Sequence, residues 1–130
     1  MKILSLLSLV LLCSACGYKS PNQMTQAGIV PVMSAMVPDN ANAGAANLTV
    51  TVNGSNFNRN AVVNWNGVPQ RTMFLSAMQL MATIPASALA APGRVMVTVT
   101  NPGSSTPGGP YGGGATTAPE TSMGLTFTIN

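Results

Sequence analysis

Charge is the scarcest commodity in this sequence of 130 residues. Seven side chains carry it (Lys2, Lys19, Asp39, Arg59, Arg71, Arg94 and Glu120), about 5% of the chain, where a soluble domain ordinarily carries about 25%. Histidine is absent. General acid–base catalysis draws on His or on tuned carboxylates, and the two carboxylates lie 81 positions apart. Hard cations need clustered oxygen ligands and zinc needs Cys or His, so no metal or cofactor is expected. Five scattered Lys and Arg do not form the basic stripe that nucleic acid requires, although the pI is near 9.3. Aromatics are few, and the two cysteines both fall within the first sixteen residues. The composition speaks against an enzyme and leaves the ligand open.

The first residues read as a processing signal. Lys2 precedes an apolar run, Ile3 to Leu12, interrupted only by Ser5 and Ser8. Ten helical residues rise about 15 Å, half the thickness of a hydrocarbon core, so this run is a signal peptide rather than a resident span. It ends in Cys13-Ser14-Ala15-Cys16-Gly17. Small residues directly before Cys16 resemble the lipobox of bacterial lipoproteins, with Cys13 standing where an aliphatic residue is usual. The resemblance implies removal of residues 1–15, acylation of Cys16 and attachment to a membrane. Gly17 after Cys16 fits outer-membrane sorting in a Gram-negative host. Two or three acyl chains, at about 0.8 kcal/mol per buried methylene, hold a small domain stably on a bilayer. The mature chain then has no free thiol and no disulfide.

Residues 17–28 are polar and aperiodic, so 16–28 is expected to be a lipidated cysteine with a flexible linker. From Ile29 the pattern becomes short alternating runs: Leu48–Val52, Val95–Thr100 and Leu125–Asn130 set apolar residues against Thr. Leu80–Ile84 and Ala61–Trp65 continue the period of two. These are half-buried antiparallel strands. Asn66-Gly67 is a hairpin signal, and Asn53-Gly54, Pro92-Gly93 and Asn101-Pro102-Gly103 read as breaks. Ala86 to Ala91 is one helical turn or two, stopped by Pro92. About seven strands in roughly a hundred residues predict an all-β, immunoglobulin-like sandwich over 29–130. Residues 102–122, rich in Gly and Pro, are expected to form a mobile loop.

The order of these features resembles the IPT/TIG family of immunoglobulin-like domains. Pro31-x-Met33-x-x-Met36-x-Pro38 is similar to the family's opening strand, and Gly44 stands at its glycine turn. Leu48 to Phe57 carries a strand followed by Gly54-Ser55-Asn56-Phe57, and Val63–Gly67, Leu80–Pro85, Gly93–Pro102 and Leu125–Ile129 follow in order. The resemblance covers Pro31 to Asn130. It implies no reaction but a spacer, an interaction module or a glycan-associated module, and fold alone assigns no role.

Candidate ligand contacts are therefore few. Trp65 and Tyr111 offer faces on which a sugar ring stacks. Trp65, however, shares a strand face with Val63, the usual position of a core Trp, and Tyr111 sits in the Gly-rich loop. Met33/Met36 and Met78/Met81 have thioethers suited to Cu(I), but on a regular strand i and i+3 point to opposite faces. Asp39 and Glu120 read as turn and loop residues. The expected partners are a membrane, through Cys16, and a protein or glycan, with no nucleic acid. A non-enzymatic protein-interaction or spacer module is the first functional reading; a carbohydrate-binding accessory or adhesin-like domain is the alternative.

Overall fold

Strand β4 shows how the pattern becomes a sheet. In Leu48–Ser55 the buried positions are Val50 and Val52, and Thr49 and Thr51, which alternate with them, face outward. The computed structural model describes residues 24–110 and 114–130. In chain order its strands are β1 (Met24–Gln26), β2 (Val32–Val37), β3 (Asn40–Ala41), β4, β5 (Val62–Trp65), β6 (Val68–Pro69), β7 (Arg71–Ser76) and β8 (Gln79–Ile84). A 3₁₀ turn, Ala86–Leu89, precedes β9 (Gly93–Asn101), β10 (Ser105–Thr106), β11 (Ala115–Thr117), β12 (Glu120–Thr121) and β13 (Leu125–Ile129).

Two sheets face each other. One has the order β2-β4-β8-β7, the other β3-β13-β9-β5-β6 with β12 beside the end of β9. Val50, Val52, Leu80, Ala82 and Ile84 from the first meet Val63, Trp65, Val97, Val99, Phe127 and Ile129 from the second. All are buried, and Leu89 and Phe57 close the two ends. The result is the expected all-β, immunoglobulin-like sandwich. Long pairings are antiparallel; β3 joins β13, and β1 joins β11, in short parallel pairings.

The Asn66-Gly67 hairpin forms as read. Trp65 pairs with Val68, and both central residues have positive φ, 50° and 81°, the requirement of a type I′ turn. Asn53-Gly54 is different: it is no break but lies inside β4. Gly54 sits opposite Met33, where a Cβ would collide with the carbonyl oxygen of Val32 and stand 2.7 Å from the Phe57 ring. Glycine is there because two backbones and a ring approach closely.

A β-bulge between Met33 and Ala35 also changes the reading of the opening strand. The extra residue shifts the side-chain phase, so Met33 and Met36 both turn to the core instead of opposite faces. The strand β7 had no clear signal, because its inward positions are Thr72 and Phe74 while Met73 and Leu75 are exposed. Two further expectations are corrected. Part of the linker 16–28 is strand β1, and the stretch 102–122 contains β10, β11 and β12 rather than being a loop throughout. Thr117 fastens it by accepting from Ser104 N at 2.9 Å.

Side chains complete the ladders where strands shift. At the join of β12 and β13 the buried Ser122 hydroxyl accepts from Val99 N at 2.9 Å, while Ser122 N donates to Val99 O at 2.8 Å. Replacing Ser122 with Ala strands the Val99 N–H in the interior, and a loss of about 1–3 kcal/mol is expected. Urea denaturation checks this, and an unchanged midpoint would refute it.

Candidate functional site

The sandwich has two ends, and each carries a depression. At the end where β4 stops and β8 begins, a cleft of about 520 Å³ lies between the incoming segment 26–29 and the loop Asn56–Asn58. Its base is Asn101, 5% exposed at the end of β9. The Asn101 amide nitrogen donates to Ile29 O and Asn56 O, each at 2.8 Å, and its Oδ1 accepts from Asn58 N at 2.9 Å. One side chain therefore ties three segments. The stretch Gly54-Ser55-Asn56-Phe57 serves the same joint: Gly54 permits close approach, Asn56 takes φ of 61° and Phe57 is buried. Asn tolerates that left-handed conformation better than most residues.

At the opposite end a groove of about 530 Å³ runs between the 3₁₀ turn with Pro92 and the β5–β6 hairpin. Ala88, Ala90, Ala91, Val68 and Val95 line it, with Asn66, Gln70 and Ser87 as neutral polar groups and Arg94 as the one charged residue. The Arg94 side chain makes no hydrogen bond or ion pair among the described residues. A third, shallower depression of about 360 Å³ brings Asp39, Asn40, Thr126, Thr128 and Asn130 together. Asn40 donates its amide hydrogen to Asp39 Oδ1 at 2.7 Å.

Every buried side-chain nitrogen or oxygen among the described residues has a hydrogen-bond partner. Asn101 and Ser122, the buried polar residues, are committed to structure. Such groups hold backbone in place and offer no activated nucleophile or base.

Residues 31–115 match the model of the IPT/TIG domain. The chain belongs to the IPT/TIG family. No curated protein matches it. IPT/TIG domains are non-catalytic immunoglobulin-like modules, often engaged in protein interaction. The matched stretch stops at Ala115, yet in this IPT/TIG domain β13 lies between β9 and β3 and supplies Phe127 to the core.

The residues singled out from sequence are not brought together. Trp65 is 5% exposed, and its ring is tilted on Phe127 with centroids 4.8 Å apart at 57°. No face is left for a sugar, which corrects its candidacy as a stacking platform; Trp65 meets only the floor of the groove beside the hairpin. Tyr111 and Cys16 lie outside the described residues, as do the signal sequence and most of the linker. Met81 is half-buried and Met78 exposed in the turn before β8. Sequence reasoning passed over Asn101 and Arg94. Asn101 looks like an ordinary turn former before Pro102, and nothing in a lone Arg at the start of a strand marks a groove.

Proposed function

We propose that this chain is a non-enzymatic module held on the cell envelope by a lipid on Cys16, where it engages a partner protein or spaces one from the membrane. The observation that carries this reading is membership of a non-catalytic family often engaged in protein interaction, in a domain whose buried polar side chains among the described residues, Asn101 and Ser122, are committed to backbone. The lipobox-like Cys13–Gly17 supports the anchor, and in a Gram-negative host Gly17 favours the outer membrane. The body supports it too, because it is closed and charge-poor: a near-neutral surface protects weakly against self-association, and a tether limits encounter.

Intact mass and membrane fractionation test the anchor. The wild-type chain is expected to lack residues 1–15, to carry acyl mass and to sediment with membranes. Cys16→Ser should remove the acyl mass and release the protein. A wild-type chain that is unacylated and soluble would overturn the anchored reading.

A further inference from the structure

We propose that the end of the sandwich nearest the tether docks on the bilayer, with Ile29, Val30, Val32 and Met78 set into the lipid interface. This deepens the anchored reading and rests on it. Residues 17–23 separate Cys16 from β1. Eight Cα steps of about 3.5 Å keep Met24 within about 28 Å of an acylated Cys16, whatever path they take. Ile29 comes three residues after Gln26, the last of β1, so this end of the body stays close to the membrane. Hydrogen bonds fix its backbone. The Asn101 amide donates to Ile29 O at 2.8 Å, the Asn56 amide to Val30 O at 3.4 Å, and Gly54 N to Met78 O at 2.9 Å. Val32 lies opposite Ser55. The four apolar residues therefore gather around the Gly54–Asn56 end of β4.

Apolar exposure and charge are divided between the two ends. Ile29 is 70% exposed and Met78 66%, with Val30 and Val32 exposed beside them. Ile29 and Val30 precede β2, and Met78 lies in the turn between β7 and β8. They form a rim where strands stop, so a flat surface meets them without choosing one sheet face. At the opposite end Asp39, Arg71 and Arg94 are exposed. Thr128 N donates to Asp39 O, Arg94 lies opposite Thr128, and Arg71 lies opposite Thr83. The charged end is thus the one remote from the tether. Exposed apolar side chains grouped on one rim mark a contact surface, and the tether supplies the occupant. It holds this rim against a bilayer at an effective concentration that no free partner matches. Arg59 is exposed in the loop after Phe57, and its fork suits a lipid phosphate. Glu120, the acid of this end, is half-buried beside Gly28.

The test uses the acylated chain, purified from bacterial membranes and reconstituted in phosphatidylcholine vesicles with plain or brominated acyl chains. Bromine quenches a nearby indole. Ile29→Trp and Met78→Trp should each lose about half of the added emission in brominated vesicles, since interfacial insertion reaches about 5–10 Å. Val68→Trp, in the hairpin at the far end, should lose none, and the buried Trp65 gives a constant background there. Ile29→Asp combined with Met78→Trp should weaken the quenching at position 78 about twofold or more. The substituted positions are exposed, so thermal unfolding should stay near wild type and report that the variants fold. Quenching at 78 that ignores Ile29→Asp would mean that the indole inserts on its own account, and would overturn the docking. An acylated chain with no quenching at 29 and 78, or with equal quenching at 68, would also overturn it while the anchor stands. A chain recovered soluble and unacylated would overturn both.

Discussion

Phe127→Ala should cost about 3–5 kcal/mol of folding stability, the range for emptying a buried aromatic position. The ring is fully buried in β13, packs on Trp65 of β5 in the same sheet, and shares one core cluster with Val50, Val52 and Leu80 of the facing one. Domains of this size are stable by only about 5–15 kcal/mol, so the loss is a large share of the whole. Pinned strands on either side, β9 and β3, prevent the site from collapsing around the cavity. Trp65 is the single tryptophan of the chain, so its emission reads the unfolding transition and its near-ultraviolet dichroism reads the lost ring contact. Guanidinium denaturation should show a lower midpoint with an unchanged slope. Phe127→Leu, which keeps more of the volume, should lose clearly less. A Phe127→Ala loss below about 1 kcal/mol would mean that the two sheets repack freely, contrary to the close packing expected of protein interiors.

How much of this was readable in advance depended on whether local pattern or tertiary approach decides a residue's place. Strands β4, β8, β9 and β13 alternate apolar with Thr, and burial follows that alternation. The Asn66-Gly67 turn is local chemistry, and it forms as its backbone demands. Gly54 was misread because the same dipeptide that makes a turn also permits a close crossing, and only the Val32 carbonyl and the Phe57 ring reveal which applies. The facing of Met33 relative to Met36 was misread because a bulge shifts the phase without altering composition. In β7 the inward Thr72 accepts from Val63 N at 2.9 Å and donates to Gln70 O at 3.0 Å where the chain passes between sheets. A polar residue facing inward for that purpose inverts the apparent pattern. Of the two depressions at the ends, neither was legible, since each is assembled from segments far apart in the chain.

The joint at Asn101 makes the last prediction. Asn101→Leu keeps the size of the side chain but removes three hydrogen bonds, leaving Asn58 N and the carbonyls of Ile29 and Asn56 without their partner. Each stranded buried group costs about 1–3 kcal/mol. The adjoining cleft lets water reach some of them, so about 2–4 kcal/mol in total is expected. Hydrogen exchange should accelerate at the Asn58 amide, a local readout that a change in general packing would not single out. Asn101→Asp separates charge from shape. Its carboxylate still accepts from Asn58 N but faces two carbonyl oxygens, which disfavours the charged form and raises its pKa in the folded state. A raised folded pKa gives stability that is present at low pH and lost as pH rises through it. The Asp variant should therefore lie closer to wild type near pH 4 than near pH 7, the opposite of an acid that gains a cationic partner. Equal deficits at the two pH values would show that the carbonyls of Ile29 and Asn56 had swung away. In that event the variant's incoming segment is held by β1 with its pairing to β11, by Ala118 N donating to Gln26 O and by the Asn56 amide donating to Val30 O.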